Sequence, residues 1–312
     1  MKGIEISKEF YNQYGKPMLE NDFSSVLDRI AVGLAGEGSE CFGYDDLVSR
    51  DHDFDAGFCL WITKEDEKEF GFKLERAYSK LPKEFMGLKR GILSPTGGNR
   101  HGVIVIDDFY QKFLGANTAP DTIQRWLYTP SNSLACACNG EVFVDKLGKF
   151  SKIREILLKG YPEDVRKKKI AGHIIFMAQA GQYYYARLID RNETGASQLA
   201  IFEFVKHAIS TVYLLNNKYE PYYKWAYRGM RDCPILGELE TSFAIMTELG
   251  NDKKQASEKR EIIEDISSMF LAELRKQGLS SATCNNLETH AYRVMDTIKD
   301  ANVRNLHVMD GV

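Results

Sequence analysis

The feature that most constrains the fold of this chain is a change of hydrophobic period near residue 150. Before that point, short apolar runs alternate with glycines and turns. After it, apolar residues recur about every 3.6 residues and glycine becomes sparse. A region of strands followed by a region of helices is typical of α+β architecture. We therefore expect an N-terminal mixed sheet with flanking helices in residues 1–150 and an all-helical domain in residues 151–312.

Individual elements follow from the same patterns. An all-apolar run is typical of a strand buried on both faces, and alternation is typical of a half-buried one. The predicted strands are residues 29–35, 51–62, 102–106 and 141–145, with 102–106 in a central position and a further strand at Cys136-Ala137-Cys138. The predicted amphipathic helices are residues 64–80, 199–215, 253–278 and 280–303. The basic run 166–169 is interpreted as a solvated helix face.

Composition excludes several classes of function. The 41 Lys and Arg residues against 44 Asp and Glu residues give a net charge of -3, which argues against a non-specific nucleic-acid binder and leaves a local basic groove open. No apolar stretch approaches the roughly 18–20 residues of a membrane span, and the N-terminus lacks the apolar core of a signal peptide. The six cysteines are scattered and are expected to be reduced thiols. These features predict a cytoplasmic protein.

Two small motifs carry the chemistry. Gly38 and Ser39 lie at a predicted strand-to-helix turn, where bare backbone N–H groups and a hydroxyl suit phosphate oxygens. Asp51 and Asp53 lie two residues apart on the next predicted strand, so their carboxylates share one face. Two convergent carboxylates repel unless a cation lies between them, and Mg²⁺ prefers such ligands together with phosphates. The pair therefore predicts a metal site opposite a phosphate site.

The spacing Gly38-Ser39, eleven residues, Asp51-His52-Asp53 resembles the signature of the DNA polymerase β-like nucleotidyltransferase superfamily. Arg50 stands between Ser49 and the first aspartate, and His52 occupies a usually apolar position. The longer stretch 36–58 looks most like a poorly characterised, domain-of-unknown-function branch with an attached helical domain. The competing interpretation is a glycine-rich turn with solvated acids. A dinucleotide-binding motif fails at its third glycine, and no P-loop occurs.

The resemblance implies a third carboxylate on a later strand, as a metal ligand or base. Asp107 is preferred and Asp108 stays open, because the strand 102–106 ends beside both. Either aspartate could instead cap the helix that follows. Glu141 and Asp145 are further candidates. Without a third acid, the chain would bind nucleotides and not transfer them.

Resemblance to antibiotic-type nucleotidyltransferases extends to residues 216–225 of the helical half. It implies that Lys224 reaches the triphosphate and that Tyr219 lines the nucleotide site, while the helical domain closes over the nucleotide and acceptor. A lysine is a reasonable point charge for a leaving pyrophosphate. The alternative is a helix break at Pro221 with a solvated lysine, and the two interpretations have equal weight.

Two hypotheses follow from these resemblances. The first is a nucleotidyltransferase that uses Mg²⁺ or Mn²⁺ to move an NMP, in the first instance AMP from ATP, to a hydroxyl of a small molecule or protein. The second is a non-catalytic nucleotide-binding regulatory module or one partner of a two-component system. The acceptor, the base preference and the oligomeric state, including a homodimer, stay open.

Overall fold

A four-stranded mixed sheet organises the first part of the chain. The computed structural model describes residues 1–48, 54–91 and 100–312. The strands are β1 (Ala31–Leu34), β2 (Cys59–Ile62), β5 (Gly102–Val105) and β6 (Glu141–Val144), and a two-stranded hairpin comprises β3 (Glu84–Phe85) and β4 (Leu88–Lys89). β1 pairs antiparallel with β2 and β6, whereas β5 runs parallel to β2.

The strand β2 is buried on both faces, which explains why its four residues are all large or apolar. Leu60 and Ile62 belong to one apolar cluster, together with Phe10 and Tyr78 of the flanking helices. Trp61 points to the other face, where its ring stacks on Phe150 with centroids 3.8 Å apart. Because each face needs its own cover, the strand requires helices on both sides.

Helices of the first unit cover those two faces. The first compact unit comprises Met1–Asp121 and Thr129–Lys159. Its helices are α1 (Gly3–Phe10), α2 (Lys16–Asp22), α3 (Ser39–Phe42), α4 (Lys64–Asp66), α5 (Phe72–Ser79), α6 (Ile106–Leu114), α8 (Ser131–Cys138) and α9 (Ser151–Leu158). Short π-helical segments, Tyr11–Gly15 and Glu67–Gly71, join α1 to α2 and α4 to α5, and Leu27–Arg29 is a 3₁₀ turn.

The second compact unit is helical throughout its described elements and comprises Thr122–Tyr128 and Gly160–Val312. Its helices are α7 (Ile123–Tyr128), α10 (Glu163–Met177), α11 (Ala186–Asp190), α12 (Thr194–Leu215), α13 (Tyr223–Met230), α14 (Leu239–Glu248), α15 (Lys253–Lys276), α16 (Leu287–Asp296) and α17 (Ala301–Arg304), with a π-helical segment at Ala178–Tyr185. The predicted α+β class is confirmed. The predicted domain ranges, 1–150 and 151–312, stay predictions.

Several predicted elements differ from those observed. β5 pairs only with β2 among the described residues, so it is an edge strand and the predicted central position is wrong. Cys136-Ala137-Cys138 lies on helix α8 and not on a strand. Within the described part of the predicted strand 51–62, residues 54–62, the strand observed is β2, and the predicted last helix is two helices, α16 and α17. Within the described residues, no helix is both long and apolar enough to cross a membrane.

Candidate functional site

The turn that follows β1 is held in a fixed backbone conformation. Gly36 and Gly38 have φ angles of +117° and +125°, which lie in a backbone region that residues other than glycine rarely adopt. The amide side chain of Asn139 accepts a hydrogen bond from the Gly36 N–H and donates one to its carbonyl, both at 2.8 Å. The predicted strand–turn–helix order is observed, because α3 begins at Ser39 directly after the turn.

Arg100 lies against this turn. Its Nη2 donates to the carbonyl of Glu37 at 2.8 Å and also pairs with the carboxylate of Glu40. A Cβ atom built on Gly38 would lie 1.9 Å from that Nη2, so the guanidinium contacts the glycine backbone directly. Ser39 and Glu40 are both buried. The Arg100 guanidinium is therefore a cation next to the proposed phosphate site, although it also pairs with the Glu40 carboxylate.

The sheet topology brings three chain segments to one end. β1 ends where β2 begins, since Gly33 is paired with Cys59, and β5 begins there too, since Cys59 is paired with Gly102. The turn after β1, the described residues just before β2 and the described residues just before β5 therefore meet at one end of the sheet. Asp51 and Asp53 belong to the segment before β2, but they lie outside the described residues.

A carboxylate and an imidazole, which sequence reasoning missed, pair at this same end. Asp55 Oδ1 is 2.8 Å from His101 Nδ1 and also accepts from the Gly57 N–H, while Oδ2 accepts from the Gly91 N–H at 2.9 Å. Burial alone would raise the pKa of Asp55, but the hydrogen bond and charge of His101 and the two backbone donors lower it to about 2. A usable signal existed, since Asp55 continues the alternation of Asp51 and Asp53.

Asp107, the predicted third carboxylate, is not brought to this end. It lies in the first turn of α6, after β5, where its carboxylate is 3.6 Å from Lys64 Nζ and accepts from Asn117 Nδ2 at 3.1 Å. Because β2 and β5 are parallel, the residues that follow both strands lie at the same end of the sheet. At roughly 3.3 Å per residue, that end is about 10 Å from the end where the two strands begin. Asp108, beside the same lysine, lies at the same end as Asp107. The structure therefore does not bring Asp107 or Asp108 together with Ser39.

The remaining predicted residues belong to the helical unit. Lys224 is exposed in the first turn of α13, and its Nζ is 5.3 Å from the centre of the Trp225 ring. Tyr219 is half-buried and makes an edge contact with Tyr161, whose ring also contacts Trp126. The contact with Tyr161 thus accounts for part of the burial of the Tyr219 ring. The predicted nucleotide contacts of Lys224 and Tyr219 stay predictions.

Comparison with known proteins gives one result. A sequence profile described as a domain of unknown function (DUF4037) matches residues 126–226. The matched stretch contains Tyr219 and Lys224, and it does not reach the turn at Gly38. No curated protein and no solved structure matches the chain.

Proposed function

We propose that this protein is a metal-dependent nucleotidyltransferase that moves an NMP, in the first instance AMP from ATP, to a hydroxyl acceptor. The observation that carries the proposal is the meeting of the Gly38–Ser39 turn, Arg100 and the entry to β2 at one sheet end. Backbone N–H groups beside a guanidinium suit a polyphosphate, because Arg pairs with phosphate oxygens in a fixed geometry. The resemblance of the 38–53 spacing to polymerase β-like enzymes points the same way.

The proposed metal ligands are Asp51 and Asp53. Within residues 1–48, 54–91 and 100–312, no group of three or more His, Cys, Asp or Glu residues could hold a metal ion. The carboxylate oxygens of the proposed pair fit Mg²⁺ or Mn²⁺ by their chemistry. When bound, such a cation would supply charge neutralisation at the triphosphate. Asp55 is not proposed as a ligand, since both of its oxygens already accept hydrogen bonds.

Other residues of the chain would bind the phosphates and the nucleotide. Ser39 and the Gly38 backbone would bind the β- and γ-phosphates, and Arg100 would turn from Glu40 to the same oxygens. Donors aimed at developing charge on a leaving group stabilise the transition state without reorganisation. Lys224 is proposed as a further charge for the leaving pyrophosphate, and Tyr219 as a contact of the nucleotide.

Pyrophosphate release tests the proposal. The purified chain would be incubated with each of the four NTPs and Mg²⁺ or Mn²⁺, with and without aminosugar, nucleoside and protein acceptors. We expect acceptor-dependent release, and we expect Asp53→Asn to lower it by at least about a hundredfold, because a proposed metal ligand is lost. The matched control is Asp22→Asn, at an exposed position at the end of α2, which should leave release unchanged. Full activity of Asp53→Asn would refute the metal assignment.

One observation favours the rival hypothesis of a regulatory nucleotide-binding module. Asp107 lies at the opposite end of the sheet from Ser39 and is engaged by Lys64 and Asn117. A module of this kind would bind an NTP, which calorimetry would detect, and would release no pyrophosphate under any of the conditions above. Binding without release would therefore select the rival.

A further inference from the structure

The Asp55–His101 pair is arranged as a carboxylate-oriented imidazole. His101 is 6% exposed, and its Nδ1 lies 2.8 Å from Asp55 Oδ1. A carboxylate oxygen at this distance accepts a hydrogen bond, so Nδ1 is the nitrogen that carries the proton. In a neutral imidazole the other nitrogen, Nε2, then holds a lone pair. Nε2 makes no hydrogen bond within the described parts of the chain.

The Asp55 carboxylate positions the His101 ring. Its two oxygens together accept from His101 and from the backbone N–H groups of Gly57 and Gly91. Because both oxygens are engaged in these bonds, the carboxylate is held in one place beside the imidazole. A carboxylate held in this way fixes the tautomer and the ring orientation of its histidine.

The backbone at Gly57 is adapted to the pair. A Cβ atom built on Gly57 would lie 2.6 Å from Asp55 Oδ1 and 2.7 Å from His101 Nδ1. Both distances are shorter than any real Cβ contact, so only glycine admits the imidazole and the carboxylate at this position. The pair thus depends on Asp55 and Gly57 from one chain segment and on His101 from another.

The pair also lies at the sheet end that holds the proposed phosphate site. His101 directly follows Arg100, the residue that contacts Glu37 and Glu40 of the turn, and β5 starts at the next residue. Asp107 lies at the other end of β5. At this end, His101 offers a ring nitrogen with a lone pair that makes no hydrogen bond among the described residues, and such an atom can accept a proton.

We propose that His101 is the general base of the transfer reaction, with Asp55 as its positioning residue. This inference rests on the proposed function. In the step, Nε2 takes the proton of the acceptor hydroxyl while its oxygen attacks the α-phosphorus of the NTP. The bond between the α-phosphorus and the bridging oxygen breaks, pyrophosphate leaves with that electron pair, and the new phosphodiester stays on the acceptor. The role expected of a third carboxylate thus falls to an imidazole.

The test uses His101→Asn in the full chain. The asparagine Nδ2–H can still donate to Asp55, which preserves the local fold, but nothing replaces Nε2. The assay contains ATP and Mg²⁺ and the acceptor that gives the fastest release, or water if no acceptor is faster. We expect pyrophosphate release by His101→Asn to be about 10²–10⁴-fold slower than release by the wild type. The ATP dissociation constant should stay within about twofold. Added imidazole should restore release at least tenfold, and more basic imidazoles should restore it further, which a structural role would not produce.

The matched control is His307→Asn, at an exposed position of the helical unit, which should leave release unchanged. If the wild-type chain binds ATP and releases no pyrophosphate, the proposed function fails. If the wild type is active and His101→Asn is equally active, only the base assignment fails. A nitrogen NMR spectrum of the wild-type ring at pH 8 gives a readout independent of activity. It should show a protonated Nδ1 and a bare Nε2, and the opposite tautomer would overturn the assignment.

Discussion

At the scale of single residues, the site depends on a close contact between a glycine backbone and an arginine. The Arg100–Glu40 pair lies directly against Gly38, where a Cβ atom would lie 1.9 Å from the Arg100 Nη2 and 2.5 Å from the Glu40 carboxylate. The Gly38 backbone, with φ +125° and ψ 148°, is in a region essentially reserved for glycine. Glycine is therefore required here for both its conformation and its lack of a side chain.

We predict that Gly38→Ala lowers the free energy of unfolding by about 2 kcal/mol, because it adds backbone strain and displaces the Arg100–Glu40 pair. Gly43→Ala is the matched control, since Gly43 also has a positive φ but has open space around its Cβ position. It should cost only about 1 kcal/mol. Urea unfolding of both variants, alone and combined with Arg100→Ala, measures the coupling. Additive effects of Gly38→Ala and Arg100→Ala would contradict the contact.

At the scale of elements, the sequence predicts where strands and helices lie better than how they pair. The apolar runs at 29–35, 102–106 and 141–145 each contain an observed strand, because local alternation and burial determine element type. The edge position of β5 could not be predicted, since it depends on which strand β2 pairs with across a long separation. For the same reason, the sequence does not reveal that the parallel pairing places Asp107 at the other end of the sheet.

Charge patterns are equally incomplete as predictors. The basic run 166–169 was expected on a solvated face, yet Lys168 is 0% exposed and Lys169 is 8% exposed. Their ammonium groups donate to carbonyls of residues 308–311, so sequence-distant partners make the burial tolerable. His101 was likewise missed, because its partner Asp55 lies 46 positions earlier in the chain.

In the helical unit, the packing of one element against another depends on Gly181. This glycine lies in the π-helical segment Ala178–Tyr185, and a Cβ there would be 2.5 Å from the fully buried ring of Phe204 on α12. A second contact, to Ile263 of α15, would be 3.1 Å. A buried ring cannot move aside without disturbing its own neighbours. The absence of a side chain therefore sets how closely these helices approach.

We predict that Gly181→Ala lowers the free energy of unfolding by about 2 kcal/mol through overpacking. Gly195→Ala on α12 is the matched control, because nothing lies within 4 Å of its Cβ position. That substitution should stabilise the chain by about 0.5–1 kcal/mol, as alanine favours the helical backbone. Chemical denaturation followed by circular dichroism compares the two. Equal effects of the two substitutions would show that Phe204 yields to the added methyl group.

At the scale of the whole molecule, stability must reflect the buried cations of α10. Lys169 Nζ donates to the carbonyls of Leu127 at 2.8 Å and Gly311 at 2.6 Å. Burial, together with the charge of Lys168, lowers the pKa of Lys169 to about 8. Carbonyl dipoles replace part of the lost hydration, but they do not neutralise the charge. The folded state therefore releases this proton more readily than the unfolded chain, whose lysines titrate near 10.4.

The sign of the resulting pH dependence follows from proton linkage. Between pH 8 and about 10.4 the unfolded chain holds a proton that folded Lys169 has released, so this group's contribution to the free energy of unfolding rises with pH. Below pH 8 the cost of the buried charge is fully present. Thiols oppose the trend, since burial raises the pKa of Cys59 to about 12 and stability falls as unfolded cysteines ionise. A comparison with a variant at each pH cancels the contribution of the thiols.

We therefore predict that the stability of the wild type relative to Lys169→Met increases by about 1.5 kcal/mol between pH 8 and pH 9.5. Urea unfolding at half-unit intervals measures this difference directly. Lys276→Met, at an exposed position on α15, serves as the control, and its difference from the wild type should stay constant over the same range. A constant difference for Lys169→Met as well would mean that Lys169 keeps its proton in the folded state. In that case the four carbonyls around Lys168 and Lys169 would stabilise two buried charges with no carboxylate of the described residues in direct contact.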